Sequence, residues 1–221
     1  MLAAGSGDTA SEALDHLCRK YWRPMYVHIR RMGIPPSDAE DVTQRFFVYL
    51  IEKEWISQAD PKRGSFRAFL RALLNNYLAN HLRAERAVKR TAVQVSIDTV
   101  EGERALAEST ARACDPLLAF DRVWARTVLQ AAWERLSREQ SAAGKAALFE
   151  MLRPFLTQPA APGDYDRLSP SLGLPRGQIA VLIHRLSRRY ADLIRSEVAE
   201  TLADRSEIES ELRHLLQVTS G

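Results

Sequence analysis

A chain of 221 residues, 46% hydrophobic and 27% charged with a formal net charge of +3, has room for one ordinary domain or two small ones and enough apolar material for a core, which excludes wholesale disorder. No window holds the roughly 20 uninterrupted apolar residues of a spanning helix, and the opening MLAAGSGDTASEALD has neither the basic region nor the apolar stretch of a signal peptide. A cytoplasmic location away from membranes is therefore expected.

The elements follow the helical period along the chain. Leu14, Leu17, Cys18, Tyr21, Met25, His28, Ile29 and Met32 mark a first amphipathic helix, with a kink or break expected at Pro24. After Gly33 and the Pro35–Pro36 pair, Ser37 to Glu40 has the form of a capping box, with the Ser37 hydroxyl and the Glu40 carboxylate each accepting the other residue's amide. The second helix then carries Val42, Phe46, Phe47, Leu50, Ile51 and Trp55. Ser65 is the expected cap of a third helix, whose stripe is Phe66, Phe69, Leu70, Leu73, Leu74, Tyr77, Leu78 and Leu82. Periodicity is lost from Thr91 to Asp115, which reads as a linker despite a short alternation over Val93 to Ile97. It resumes at Pro116 with Phe120, Trp124, Val128, Leu129, Ala132, Trp133 and Leu136. Leu148, Met151, Leu152 and Phe155 follow, then the loop Gln158 to Gly163, a long run with Ile179, Leu182, Ile183, Leu186, Tyr190, Ile194 and Val198, and a last helix from Ser206 to about Val218. No segment reads as a sheet, so an all-α chain with two lobes is expected.

The chemistry-bearing residues exclude more than they admit. Cys18 and Cys114 lie far apart and read as buried thiols, and His16, His28, His81, His184 and His214 have no metal-ligand spacing. There is no phosphate loop, no GxSxG and no carboxylate cluster for magnesium, so no catalytic residue, no cofactor, no metal and no enzymatic activity are expected. Charge, by contrast, comes in blocks: net −3 over residues 35–59, +7 over 61–90, +5 over 167–195 and −4 over 196–213. Two basic blocks point to two contacts with a polyanion, and the acidic blocks beside them suit a protein partner.

At 100° per residue Phe69, Asn76, Asn80 and Arg83 fall within an arc of about 60° on the third helix. An aromatic face, two amides and a guanidinium on one strip can hold an unstacked base and its phosphate. The alternative is an ordinary helix surface, with Phe69 in the core and solvated asparagines. From Leu168 to Arg189 the spacing of Leu168, Leu172, Gly173, Ile179 and Leu182 or Ile183 reads as a helix-turn-helix, and Arg176, Arg185, Arg188 and Arg189 favour DNA over a plain helical hairpin.

Asp38 to Phe47, DAEDVTQRFF, resembles the core-polymerase-binding helix of bacterial sigma-70 family factors, whose usual pattern is DAEDLxQExF. The basic run from Phe66 through Asn76 to Arg83 and Arg90 resembles the promoter-melting segment that follows it. With a linker and a carboxy-terminal helix-turn-helix, residues 10–90 and 115–195 are similar to the small extracytoplasmic-function (ECF) type, which keeps sigma regions 2 and 4. The resemblance implies residues 1–90 as a region 2 domain, 91–115 as linker, 116–203 as a region 4 domain and 204–221 as an acidic helical extension. It implies Asp38, Glu40, Asp41, Gln44 and Phe47 on the coiled coil of the largest polymerase subunit. Phe69, Asn76, Asn80, Arg83, Arg86, Lys89 and Arg90 would take the melted −10 element, and Arg176, Gln178, His184, Arg185, Arg188 and Arg189 the −35 duplex.

The implied partners are core RNA polymerase and promoter DNA, with an anti-sigma regulator as a further candidate. The acids of the tail, residues 196–221, are candidates for covering the second lobe or binding such a regulator. Departures from the family pattern are Arg45 in place of an acid, Phe69 and Asn80 in place of tryptophan and aspartate, Ala180 and Leu182 in place of basic residues, and Pro170, expected to interrupt the first helix of the helix-turn-helix. The rival functions are a stand-alone helix-turn-helix regulator and a helical protein-interaction adaptor, both of which would leave core polymerase unbound.

Overall fold

The computed structural model describes residues 5–53, 55, 65–88, 116–202 and 205–220. They form α1 (Gly5–Arg31), α2 (Pro36–Glu52), α3 (Phe66–Val88), α4 (Pro116–Ala142), α5 (Ala146–Leu152), α6 (Asp164–Leu172), α7 (Arg176–Ala199) and α8 (Ile208–Ser220), with short 3-10 turns at Arg153–Leu156 and Arg205–Glu207. No strand occurs among the described residues, and the fold is all-α. The expected linker over 91–115, with Cys114, lies outside the described residues. Two compact units result: residues 1–127 together with 199–221, and residues 128–198.

The first unit is built on α1, α2 and α3, joined by the start of α4 and by α8. α1 is not broken at Pro24: the helix runs through it and the ring is buried. A proline removes one amide from the ladder, and burial of Tyr21, Met25, Tyr26 and Ile29 around it offsets that loss at roughly 1.5–3 kcal/mol per large apolar side chain. Cys18 is half-buried rather than buried. Gly33, at φ +87°, ends the helix with its amide on the Arg30 carbonyl, a left-handed position that favours glycine.

The capping box at Ser37 does not form. Pro35 is the cap residue and Pro36 the first helical residue, and the Ala39 amide donates to the Pro35 carbonyl at 2.9 Å. Proline's fixed φ suits the first helical position, so α2 begins two residues earlier than a cap at Ser37 would place it. Ser37, already inside the helix, donates its hydroxyl to Asp38 Oδ1 at 3.1 Å. The α3 cap is as expected, with Ser65 Oγ accepting the Ala68 amide at 3.3 Å. Phe46, Leu50, Leu70, Leu74, Leu78, Phe120 and Trp124 are buried completely, and Tyr21 meets Phe66 edge-on at 6.0 Å and stacks with Phe120 at 6.4 Å. Burial pushes the Tyr21 phenol well above its ordinary pKa. The acidic tail is divided between the units: from Ala199 on it is part of the first unit, where α8 buries Glu211 and Leu215, while Glu197 stays in the second and pairs with Arg135 at 3.1 Å.

In the second unit, Ala132, Leu136, Phe149 and Leu193 form one core, closed by Trp133 lying edge-on to Tyr190 at 5.5 Å. Leu152, Ile179 and Ile183 form another, against Leu168, Leu172 and Leu174. Pro170 does not interrupt α6, which continues to Leu172. Gly173, at φ +61°, then reverses the chain, and both its amide and that of Leu174 bond to the Ser169 carbonyl. The Leu174 bond is the six-to-one contact of a Schellman ending and the Gly173 bond the five-to-one contact of a left-handed cap, and together they satisfy a carbonyl that the helix terminus leaves open. Ser169 Oγ adds a bond to the Leu174 carbonyl at 2.7 Å. Residues 173–175 are therefore a tight turn between α6 and α7.

Candidate protein and nucleic-acid interfaces

The outer face of α2 combines charge with exposed apolar surface. Asp41, Gln44 and Arg45 are exposed, Asp38 and Glu40 are half-buried, and Val48 and Ile51 are 50% and 45% exposed. Glu40, Asp41, Gln44, Val48 and Ile51 share one side of the helix at 100° per residue. Arg45 pairs with Asp41 one turn back, so the basic substitution in the acidic motif neutralises a neighbouring acid. Phe47, grouped with this face by the motif, is only 6% exposed and lies in the core. Val48 was not singled out in the sequence, and Ile51 was grouped there with the apolar stripe of the helix but is exposed; their spacing of four and seven from Gln44 is the helical neighbour pattern.

α3 carries two opposed polar faces. Phe69 is half-buried, while Asn76, Asn80 and Arg83 are exposed along one strip, with Arg83 Nη1 donating to Asn80 Oδ1 at 3.4 Å. The strip forms as the spacing requires. Arg86 lies on the same helix with its side chain outside the described residues, as are Lys89 and Arg90 altogether. Tyr77, within an aromatic run that contacts Phe46 at 5.3 Å and Tyr49 at 5.2 Å, has its phenol pKa raised by burial.

On the other side of α3, Arg67 is 5% exposed. Its Nε and Nη2 donate to the two Glu211 oxygens at 3.0 and 3.2 Å, its Nη1 binds Asp121 Oδ1, and its guanidinium lies over Trp124 at 5.2 Å. Arg71 Nη1 reaches Asp121 Oδ2 at 3.0 Å, and His214 Nε2 lies 3.0 Å from the same oxygen. Burial works against the Arg67 charge, but the Glu211 hydrogen bond and the Asp121 and Glu211 carboxylates outweigh it and hold its pKa above the ordinary arginine value. Sequence reading counted Arg67 and Arg71 in the basic block. Their partners lie 50 to 144 positions away, beyond the reach of any spacing rule.

In the second unit Gln178, His184, Arg185 and Arg188 are exposed on α7, and Val181 among them is 48% exposed. Arg176 is exposed at the start of α7 and lies 3.6 Å from Asp166 on α6. Arg189 is held in a two-pronged pair by Glu139, at 2.9 and 2.7 Å. The Arg189 hydrogen bond in turn lowers the Glu139 carboxyl below its usual range. The exposed basic side chains of α7 thus divide into paired and open ones: Arg185 and Arg188 form no ion pair among the described residues. Among the described residues no three His, Cys, Asp or Glu side chains gather into a metal site.

Three packed helices, with an acidic-apolar face on the second and an amide-arginine strip on the third, set the frame for comparison with known proteins. Residues 17–88 match the Sigma-70 region 2 family model. The matched segment takes in α1 from Leu17, all of α2 and α3 to Val88, and so both polar faces of α3. The match supports a sigma factor role in RNA polymerase binding and promoter melting. No curated protein and no solved structure matches the chain. No helix among the described residues is long and apolar enough to cross a membrane.

Proposed function

We propose that this chain is an alternative RNA polymerase sigma factor of the ECF type, a non-enzymatic subunit that directs core polymerase to particular promoters and helps to open them. The observation that carries the reading is the region 2 match over residues 17–88, together with the exposure of the α2 face and the α3 strip within it. The α2 face docks on the coiled coil of the largest polymerase subunit. Asp38, Glu40, Asp41 and Gln44 supply polar contacts, Val48 and Ile51 add apolar ones, and Phe47 supports the helix from inside.

The α3 strip then acts on promoter DNA as the −10 element melts. Half-buried Phe69 offers a ring for a base to stack on, the Asn76 and Asn80 amides offer hydrogen bonds to base edges, and Arg83 with Arg86, Lys89 and Arg90 follows the phosphates. In the second unit α6, the turn and α7 serve as a helix-turn-helix on the −35 duplex, with Gln178, His184, Arg185 and Arg188 facing DNA. Arg176 and Arg189 join them when their carboxylate partners release them. The polymerase performs the chemistry, in the cytoplasm, and an anti-sigma regulator remains a candidate partner.

The test is competition for core polymerase. An Asp41→Ala, Gln44→Ala variant should keep its helicity, because exposed substitutions shift stability by about 0.5 kcal/mol or less, and should lose most of its ability to displace a labelled competitor factor. Parental competition by that variant would overturn the assignment of α2.

A further inference from the structure

The carboxy-terminal helix α8 reaches into the first unit with a charge, and that charge ends on the helix that carries the base-holding strip. Asp121 from α4 and Glu211 from α8 together take every Arg67 contact that is polar among those described, and Asp121 also takes Arg71 and His214. Arg67, Asp121 and Glu211 side chains are each 6% exposed or less. Arg67 and Asn76 stand nine residues apart, as do Arg71 and Asn80, which at 100° per residue is about half a turn. The ionic cluster therefore grips α3 on the side opposite its asparagines.

We infer that Glu211 is a positioning residue for promoter melting: by holding the Arg67 guanidinium it fixes the rotation of α3 about its axis, and so the direction in which Asn76 and Asn80 point. The inference rests on the proposed sigma factor role. Apolar burial is non-directional, so Leu70, Leu74 and Leu78 hold α3 in place without fixing its rotation tightly. A two-pronged carboxylate–guanidinium contact, in contrast, is planar and specific in direction. A rotation of about 10° moves a group at the helix surface, about 5–6 Å from the axis, by about 1 Å, and a displacement of that size is enough to disable a constellation that must meet its target closely.

The experiment compares three full-length proteins with core polymerase on one promoter: the parent, Glu211→Gln, and a double variant Arg67→Met, Glu211→Met. The glutamine keeps shape and one acceptor. The double variant exchanges the Arg67–Glu211 pair for apolar side chains of similar volume and leaves Asp121 to Arg71 and His214; replacing both members of a buried pair in this way often leaves stability intact. Both are expected to bind core within about twofold of the parent, since α2 is untouched, and to give open complexes, read by permanganate reactivity, reduced about tenfold or more. The double variant separates positioning from stability. If it matches the parent's unfolding midpoint and still melts poorly, rotation of α3 is what Glu211 supplies. If it melts like the parent, or if Glu211→Gln does, the positioning role is overturned. Failure of Glu211→Gln to fold would likewise overturn it, by making the pair a requirement of the fold alone. A parent that binds core but opens no promoter would instead sink the proposed melting function, independently of Glu211.

Discussion

The two basic blocks, residues 61–90 and 167–195, are both strongly basic in the sequence, at +7 and +5, but differ in structure. In the first, Arg67 is buried and Arg71 mostly so, both tied to Asp121, while Arg83 stays exposed half a helix length further on. In the second, Arg167, Arg176, Arg185, Arg188 and Arg189 are all exposed, and the ion pairs of Arg167 with Asp164, Arg176 with Asp166 and Arg189 with Glu139 lie at the surface. Composition therefore measures how much positive charge a segment carries, and burial decides what that charge does. A guanidinium enclosed by carboxylates is part of the fold, and one left in water is available to a polyanion.

The sharpest way to break this contrast is Arg67→Ala. It leaves Asp121 and Glu211 buried with too little positive charge, and removing one partner of a buried pair costs about 3–5 kcal/mol. Urea unfolding should show a loss of that order, against about 0.5 kcal/mol or less for exposed Arg83→Ala. Similar losses for the two would erase the distinction between buried and open arginines. Next in size is the effect of Asn80→Ala. Open-complex formation should fall several-fold, about 1 kcal/mol, the low end of what one lost base contact costs, while closed-complex affinity stays near that of the parent. Equal permanganate reactivity in mutant and parent would remove Asn80 from the strip.

In the second block Arg188→Ala should weaken binding to matched and scrambled −35 duplexes by similar factors and make the salt dependence shallower by about 0.9, the slope of one phosphate contact. Arg189→Ala should change the slope less, because Glu139 competes for that guanidinium. A loss confined to the matched duplex would make Arg188 a reader of sequence.

The smallest effect belongs to the Arg189–Glu139 pair itself, whose side chains are 48% and 37% exposed. Arg189 lowers the Glu139 pKa in the folded state, so the pair's contribution is present above the ordinary carboxylate pKa and lost as pH falls through the lower folded value. Solvent screening limits it to about 0.5 kcal/mol. Glu139→Gln should therefore differ from the parent slightly at pH 7 and merge with it in acid. A difference that grows on acidification would contradict the sign.

Most of the helices were legible because a core-facing stripe repeats every three or four residues, and the α3 stripe of Phe66, Leu70, Leu74 and Leu78 is buried as its spacing requires. The asparagine strip was legible for the same reason, being the complement of that stripe on one helix. Local competition set the first limit. Ser37 has the right neighbour for a capping box, yet Pro36 starts the helix first. Pro24 and Pro170 each remove one amide from a helix that continues through them. Phe47 sits within the motif but on the inner side of α2. Distance in sequence set the second limit. The roles of Arg67, Asp121, Glu211 and His214 depend on α3, α4 and α8 meeting, and the sequence pattern of each helix alone contains no sign of the other two.

The most direct measurement of the central claim is transcription in vitro, with core polymerase and this protein on fragmented genomic DNA, reading both run-off products and permanganate-reactive thymines. The account predicts discrete transcripts that depend on the protein, start downstream of reactive −10 segments, and diminish with Asp41→Ala, Gln44→Ala and with Asn80→Ala. Binding of duplex DNA with no transcript, no opening and no association with core polymerase would contradict it and favour a stand-alone DNA-binding regulator.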